Sequence, residues 1–158
     1  VAQAAMESTR RIVNDLRPAG LDHLGLWAAL EALLQDLQLR AGLNCRFVCT
    51  PEAERCRLGR SAEIEVYRIV QELVTNVRRH ARARSLSLVA EARNGSLVVS
   101  LEDDGIGMSL SEPLHTFGIL GMRERARAIG AAFELDSAPG AGTRARLTLS
   151  DVPGGTWD

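Results

Sequence analysis

The chain of 158 residues contains no lysine, and all 19 of its basic side chains are arginine. That absence excludes a lysine Schiff base, a phosphate-loop lysine and a lysine general base. Aromatic residues are scarce at 4%, and 20 acidic residues bring the formal net charge to -1, so nothing global attracts nucleic acid or an anionic membrane. There is no run of about 18 apolar residues, and no hydrophobic segment precedes a small-residue cleavage site, so no membrane span or secretory signal is visible. A cytoplasmic location is expected. Cysteine is limited to Cys45, Cys49 and Cys56, with no fourth ligand or nearby histidine at zinc-site spacing; thiols in a reducing compartment are the simplest reading.

What is present fits one domain: 46% hydrophobic and 25% charged residues are ordinary for a folded chain of this length and exclude disorder throughout. The most informative stretch runs from Ser61 to Arg84. At about 100° per residue, Ala62, Val66, Ile69, Val70, Leu73, Val77 and Ala81 share an apolar helical stripe. Glu72, Asn76, Arg79 and His80 form a narrower polar stripe beside it, at the edge of the core rather than opposite it.

In chain order, residues 2 to 16 have helical spacing and Pro18 ends the pattern. A loop over 19–24 leads to a helix from Gly25 to Ala41, stopped by Gly42; His23 in that loop reads as a surface or capping residue. Asn44 to Thr50 alternates as a strand with Cys45, Phe47 and Cys49 on one face, and residues 51 to 60 read as a charged connection. Ser85–Ala92 and Leu97–Asp103 form a hairpin around Asn94-Gly95. A flexible polar stretch from Met108 to Thr116 precedes a helix from near Phe117 to Ile129, ended by Gly130. Strands over Ala132–Asp136 and Arg144–Leu149 flank Pro139-Gly-Ala-Gly142. The tail after Ser150 is expected to fray.

Two further segments, and the polar stripe already described, can carry chemistry. Asp103-Asp104-Gly105-Ile106-Gly107 puts carboxylates at a strand end, where glycines let backbone approach a ligand; a carboxylate there can accept from an amino group, and an ordinary turn is the competing reading. An EF-hand lacks its spaced acids here, and a dinucleotide loop lacks its third glycine. Gly118 and Gly121, placed at a helix start, could offer free amides to phosphate. The Asn76 amide oxygen is a ligand of the kind Mg²⁺ accepts, Glu72 one turn earlier could act as a base, and Arg79 and His80 could neutralise phosphate.

In order, Gln71-Glu72-Leu-Val-Thr-Asn76-Val-Arg-Arg79-His80, Asp103-x-Gly105-x-Gly107, Gly118-Ile-Leu-Gly121-Met122-Arg-Glu-Arg125 and Gly140-x-Gly142-Thr143 resemble the boxes of the ATP-binding catalytic domain of sensor histidine kinases. Leu16-Arg17-Pro18, Leu24-Gly25-Leu26 and the Gly-x-x-Gly-Met-x-Glu-Arg string resemble the subgroup that pairs with NarL-type response regulators. The resemblance implies an α+β fold, a two-layer sandwich with a mixed, mostly antiparallel sheet packed against helices and an ATP lid. This is the fold shared with heat-shock-90 chaperones, type II topoisomerases and mismatch-repair ATPases. It divides the chain into the end of an upstream dimerisation and phosphotransfer helix (1–17), the ATP-binding domain (18–150) and a flexible tail (151–158).

By that resemblance, ATP and Mg²⁺ are the cofactors. Asp103 receives the adenine amino group, with Thr143 nearby through water, and Asn76 holds Mg²⁺. Arg79 and His80 approach the phosphates, Gly118, Gly121 and Met122 supply the lid's end, Gly105, Gly107 and Gly142 shape the pocket, and Glu72 polarises the reaction at the γ-phosphate. Two departures stand out. Arg79 occupies a position commonly held by lysine, replacing a point donor by a planar fork. No histidine followed by an acid precedes Pro18, so the phosphoacceptor is expected on an upstream hairpin outside this sequence, and the chain by itself is expected to bind ATP without phosphorylating itself. The implied partners are that dimerising hairpin and a NarL-type response regulator, with no direct nucleic acid and with membrane contact, such as an inner-membrane anchor, only through upstream segments. Two other readings keep the same fold: a nucleotide-sensing module that does not transfer phosphate, and an anti-sigma-factor serine kinase.

Overall fold

The computed structural model describes residues 19–154. The helix expected over 2–16 and the last residues of the tail, 155–158, lie outside them. The elements in order are α1 (Ala19–Leu24), α2 (Leu26–Ala41), β1 (Asn44–Cys49), α3 (Pro51–Arg55), α4 (Arg60–Asn76) continued by a π-helical turn (Val77–Ala81), β2 (Ser85–Arg93), β3 (Ser96–Asp103), α5 (Pro113–Ala128), β4 (Ala132–Ser137) and β5 (Thr143–Leu149). The strands form one sheet in the order β1-β2-β3-β5-β4; β1 pairs with β2 in parallel and every other pair is antiparallel. This is the expected mixed, mostly antiparallel sheet packed against helices.

Alternation sorts the sheet into two faces. Leu86, Leu88 and Ala90, Leu97, Val99 and Leu101, and Ala145, Leu147 and Leu149 are buried. They meet Leu30, Leu34 and Leu37 of α2, Val66, Ile69, Val70 and Leu73 of α4, and Ile119, Met122 and Ala126 of α5 in one core. Their neighbours Arg144 and Arg146 on the other face are exposed. The β2–β3 hairpin turns at Asn94 (φ 52°) and Gly95 (φ 78°), with Arg93 opposite Ser96, because a two-residue turn that matches strand twist needs positive φ at both positions.

Four expectations need correction. The 19–24 loop is a short helix, with Leu21 buried against the core. The connection after β1 holds α3, where the Thr50 hydroxyl accepts from the Ala53 amide at 3.3 Å and Pro51 occupies the first turn. Gly25 and Gly42 bound α2 as expected, but α5 begins at Pro113, several residues before Phe117. The tail from 151 to 154 is docked, not frayed: Val152 is buried, its amide donates to the Gly95 carbonyl at 3.0 Å, and the Arg57 amide donates to the Pro153 carbonyl at 2.8 Å.

The docked tail gives a first prediction. Val152→Ala removes two buried carbon atoms and is expected to cost about 1 to 2 kcal/mol, and truncation after Ser150 more, since both hydrogen bonds go with it. Urea unfolding checks this; an unchanged midpoint in the truncated chain would show that the tail adds nothing.

The cysteines lie free, Cys56 buried and Cys45 and Cys49 partly so. Burial, with the nearby Glu54 carboxylate, pushes the Cys49 thiol up to about 11, which leaves it protonated and unreactive.

Candidate functional site

A cavity of about 840 Å³ opens between α4, α5 and the ends of β3 and β5, within the size range of small-molecule sites. Glu72, Asn76, Arg79, His80, Asp103, Gly107, Gly118, Met122 and Thr143 all line it. Gly105, Gly121 and Gly142, also singled out from the sequence, are not among its walls.

The polar stripe lines the cavity from both sides of a change of helix type, Glu72 and Asn76 before it and Arg79 and His80 within it. After Asn76 the chain takes a π-helical turn, whose i→i+5 bonding fits one more residue into the turn, and ends at Arg82 in the left-handed region (φ 49°). The expected single α-helix through Arg84 is therefore corrected. Val77 and Ala81 stay buried, while Arg79 and His80 are exposed at the cavity rim. Glu72 and Asn76 are half-buried on the preceding turn.

The two neighbouring aspartates have separate roles. Asp104 holds the fold together: its Oδ1 accepts from the amides of Arg84 at 2.8 Å and Ser85 at 2.9 Å, and its Oδ2 accepts from the Ser85 hydroxyl at 2.8 Å. Those bonds, Ser85 foremost, lower its pKa. Asp103 turns inward and is 5% exposed. Its Oδ1 accepts from the Gly105 amide at 2.8 Å, but its Oδ2 is buried with no partner. Burial raises the pKa of Asp103, opposed by the backbone amides of Gly105 and Thr143. An unpartnered buried carboxylate oxygen is costly and is an acceptor waiting for a donor.

Glycines let the backbone close around this carboxylate. A Cβ on Gly105 would overlap the Ala81 carbonyl, which accepts from the Ile106 amide at 2.7 Å. Gly142 has φ 69°, and a Cβ there would overlap the Asp103 carbonyl. Both glycines thus shape the cavity from behind instead of lining it. Gly107 does line it, with φ 67° and the Ala138 carbonyl in its path.

The expectation for Gly118 and Gly121 changes most. Because α5 starts at Pro113, both sit inside the helix, past the first four amides that lack intrahelical partners, so neither supplies a free amide. Gly118 instead lets α5 approach α4: a Cβ there would stand 3.0 Å from Glu72 Oε1. Gly121 has open space around its Cα and lies among the outward residues Phe117, Leu120 and Glu124. Met122, 1% exposed, packs into the cavity wall, and one turn later Arg125 pairs with Glu65 of α4 at 3.0 Å.

Sequence reasoning did not find the apolar wall of Leu101, Ile106, Ile119 and Leu135, nor Ser137. The Ser137 hydroxyl contacts the Met108 amide, the Gly142 carbonyl and the Thr143 hydroxyl, each at 2.9 Å. Alternation along β4 places it on the same face as Phe133 and Leu135, and a serine at that position was the available signal.

These residues fit a nucleotide. The buried acceptor at Asp103 and the apolar wall suit a base carrying an amino group, and the exposed Arg79 and His80 suit phosphates. Among the described residues, no three histidine, cysteine, aspartate or glutamate side chains are grouped to hold a metal ion. A cation here would be shared between Asn76 and a ligand's own oxygens, which is the manner of Mg²⁺.

Residues 61–153 match the family described as histidine kinase-, DNA gyrase B- and HSP90-like ATPase, and the chain belongs to that family. It is 32% identical over 151 residues to an uncharacterized sensor-like histidine kinase of Chloroflexus aurantiacus, covering 91% of this chain and 25% of that one. It is 29% identical over 150 residues to the signal transduction histidine-protein kinase/phosphatase DegS of Brevibacillus brevis, covering 94% and 38%. The chain thus spans a quarter to two fifths of these relatives. Its fold matches the histidine kinase domain of a blue-light activated histidine kinase from Erythrobacter litoralis, with a TM-score of 0.67 at 19% identity, covering 80% of this chain and 61% of that one.

Proposed function

We propose that this chain is the ATP-binding catalytic module of a two-component sensor histidine kinase, transferring the γ-phosphoryl group of Mg·ATP to a histidine on an upstream helical hairpin. The observation that carries this reading is the make-up of one cavity, in which Asp103, with an unpartnered buried carboxylate oxygen, shares the walls with Asn76, Arg79 and His80. Asp103 accepts the adenine amino group, Asn76 ligates Mg²⁺ with the phosphates, and Arg79 and His80 neutralise phosphate charge. Positioning and charge neutralisation supply most of the catalysis in phosphoryl transfer. Glu72, at the α4–α5 contact where Gly118 leaves room for its carboxylate, orients the reacting end. The module works on the cytoplasmic side with its own dimerising hairpin and a NarL-type response regulator. No helix among the described residues is long and apolar enough to cross a membrane, so attachment would come from elsewhere in the parent.

A second reading, a nucleotide-sensing module promoting phosphatase output without transfer, draws on the kinase/phosphatase designation of DegS. Supplying the phosphoacceptor hairpin in trans with γ-labelled ATP separates the two. Label on the hairpin histidine, lost with Glu72→Ala or Asn76→Ala, is expected; folded, ATP-bound protein that never labels the hairpin would favour sensing.

A further inference from the structure

Three polar contacts converge on the hydroxyl of Ser137 at the end of β4. The Met108 amide donates to it at 2.9 Å, it donates to the Gly142 carbonyl at 2.9 Å, and the Thr143 hydroxyl oxygen lies 2.9 Å away. A serine hydroxyl has one hydrogen and two lone pairs. The Gly142 carbonyl can only accept, so Ser137's hydrogen is committed there. Met108 takes one lone pair. The contact with Thr143 is then a bond only if Thr143 donates, which uses the single hydroxyl hydrogen of Thr143 and leaves its oxygen an acceptor toward the cavity.

The direction of that hydrogen matters because of what stands opposite. Asp103 and Thr143 are paired directly across β3 and β5, so their side chains share a face with Cβ atoms about 5 Å apart. Both are buried and both line the cavity. A Thr143 hydroxyl free to rotate could donate to Asp103 Oδ2, the oxygen that has no partner. It would then occupy the acceptor a ligand needs.

We propose that Ser137 is a positioning residue that turns the Thr143 hydroxyl away from Asp103, so that the cavity presents two adjacent acceptors and selects a purine with an amino group at C6 over a 6-oxo purine. This rests on the ATP reading above. A 6-amino group brings two N–H donors to Asp103 Oδ2 and Thr143 Oγ1. A 6-oxo group brings lone pairs to both, and the N1–H that accompanies it offers one donor where the amino group offers two, so one of the two acceptors stays unpaired. A bridging water keeps the same sense, since it must donate to Thr143.

The test titrates the full chain with ATP and with inosine triphosphate, which carries the same triphosphate and differs on the base at C6 and N1. Wild type is expected to prefer ATP by at least about 10-fold. Ser137→Ala is expected to weaken ATP about 5- to 10-fold and to leave inosine triphosphate unchanged or tighter, narrowing the preference. In a Thr143→Val background, adding Ser137→Ala is expected to change the ratio no further, because there is no hydroxyl left to orient. Ser137→Cys, a weak hydrogen-bonding partner of similar size, should narrow the ratio as Ala does and serves if Ser137→Ala fails to fold, which thermal melts report. Equal loss for both nucleotides, or the same narrowing without the Thr143 hydroxyl, would show a structural role and overturn the proposal. Equal binding of both by wild type overturns the proposal and leaves nucleotide binding standing. Failure of wild type to bind either defeats the ATP reading and the proposal with it.

Discussion

Replacing Asp103 with asparagine is expected to weaken ATP binding by about 10- to 150-fold while leaving the fold at least as stable at neutral pH. The magnitude is that of a hydrogen bond to a charged group. Asparagine keeps an oxygen for the Gly105 amide, now 2.8 Å from Oδ1, but puts an N–H₂ where Oδ2 stood, so an amino group on the ligand meets a donor. The sign of the stability effect follows from burial, which raises the pKa of Asp103. A carboxyl whose folded-state pKa is raised favours the folded state fully only below its ordinary pKa, and that contribution is lost as pH rises through the raised value. At neutral pH the ionised Asp103 is therefore a cost that asparagine removes. Denaturation of both proteins should show Asp103→Asn equal or more stable at pH 7 and its advantage shrinking toward acid. Asp104 has the opposite sign. Its pKa is lowered by the Ser85 and Arg84 bonds, so its contribution holds above the ordinary carboxylate range and is lost as pH falls through the lowered value. Calorimetry with ATP and melts across pH check both parts; unchanged affinity in Asp103→Asn would remove this residue from the site.

The second large effect concerns two glycines in one turn. Gly140 and Gly142 both have positive φ, 82° and 69°, yet a Cβ at 140 meets nothing within 4 Å, whereas one at 142 overlaps the Asp103 carbonyl and comes within 3.2 Å of its carbon. Gly140→Ala is expected to cost about 1 to 2 kcal/mol, the penalty of a side chain in the left-handed region. Gly142→Ala adds a collision with backbone that cannot rotate away, for about 2 to 5 kcal/mol in all. It also displaces the segment that carries Asp103 and Thr143, so ATP affinity falls with stability in Gly142→Ala and stays near wild type in Gly140→Ala. Urea unfolding and ATP titration of the two proteins give the comparison. Equal costs would mean that the β3–β5 end is not as tightly closed around Gly142 as its neighbours imply.

What the sequence disclosed and what it withheld divide along physical lines. The hairpin at Asn94-Gly95 and the bounds of α2 at Gly25 and Gly42 were legible because each depends on residue types that tolerate positive φ. The sheet core was legible from alternation. The π turn over 77–81 was not, since an i→i+5 turn leaves no mark on apolar spacing that still buries Val77 and Ala81. The start of α5 was misplaced because Gly118 and Gly121 read as a helix beginning, although Pro113 carried the correct signal for a first turn. Thr50-Pro51 likewise marked the start of α3 and was outweighed by a charged composition. Of the site, Asp103 was recognisable at a strand end, but that it keeps one oxygen unpartnered while Asp104 is fully engaged depends on contacts twenty residues away. Gly105 and Gly142 were identified as site residues and proved to shape it from outside the cavity.

The cavity between α4 and α5 is expected to bind ATP, with Mg²⁺ shared between Asn76 and the phosphates. Titrating ATP into the folded chain by calorimetry, with Mg²⁺ present and with Mg²⁺ chelated, tests it most directly. Saturable one-to-one binding below millimolar concentration that strengthens with Mg²⁺ is expected. A correctly folded chain that binds no ATP at millimolar concentration in either condition would contradict it.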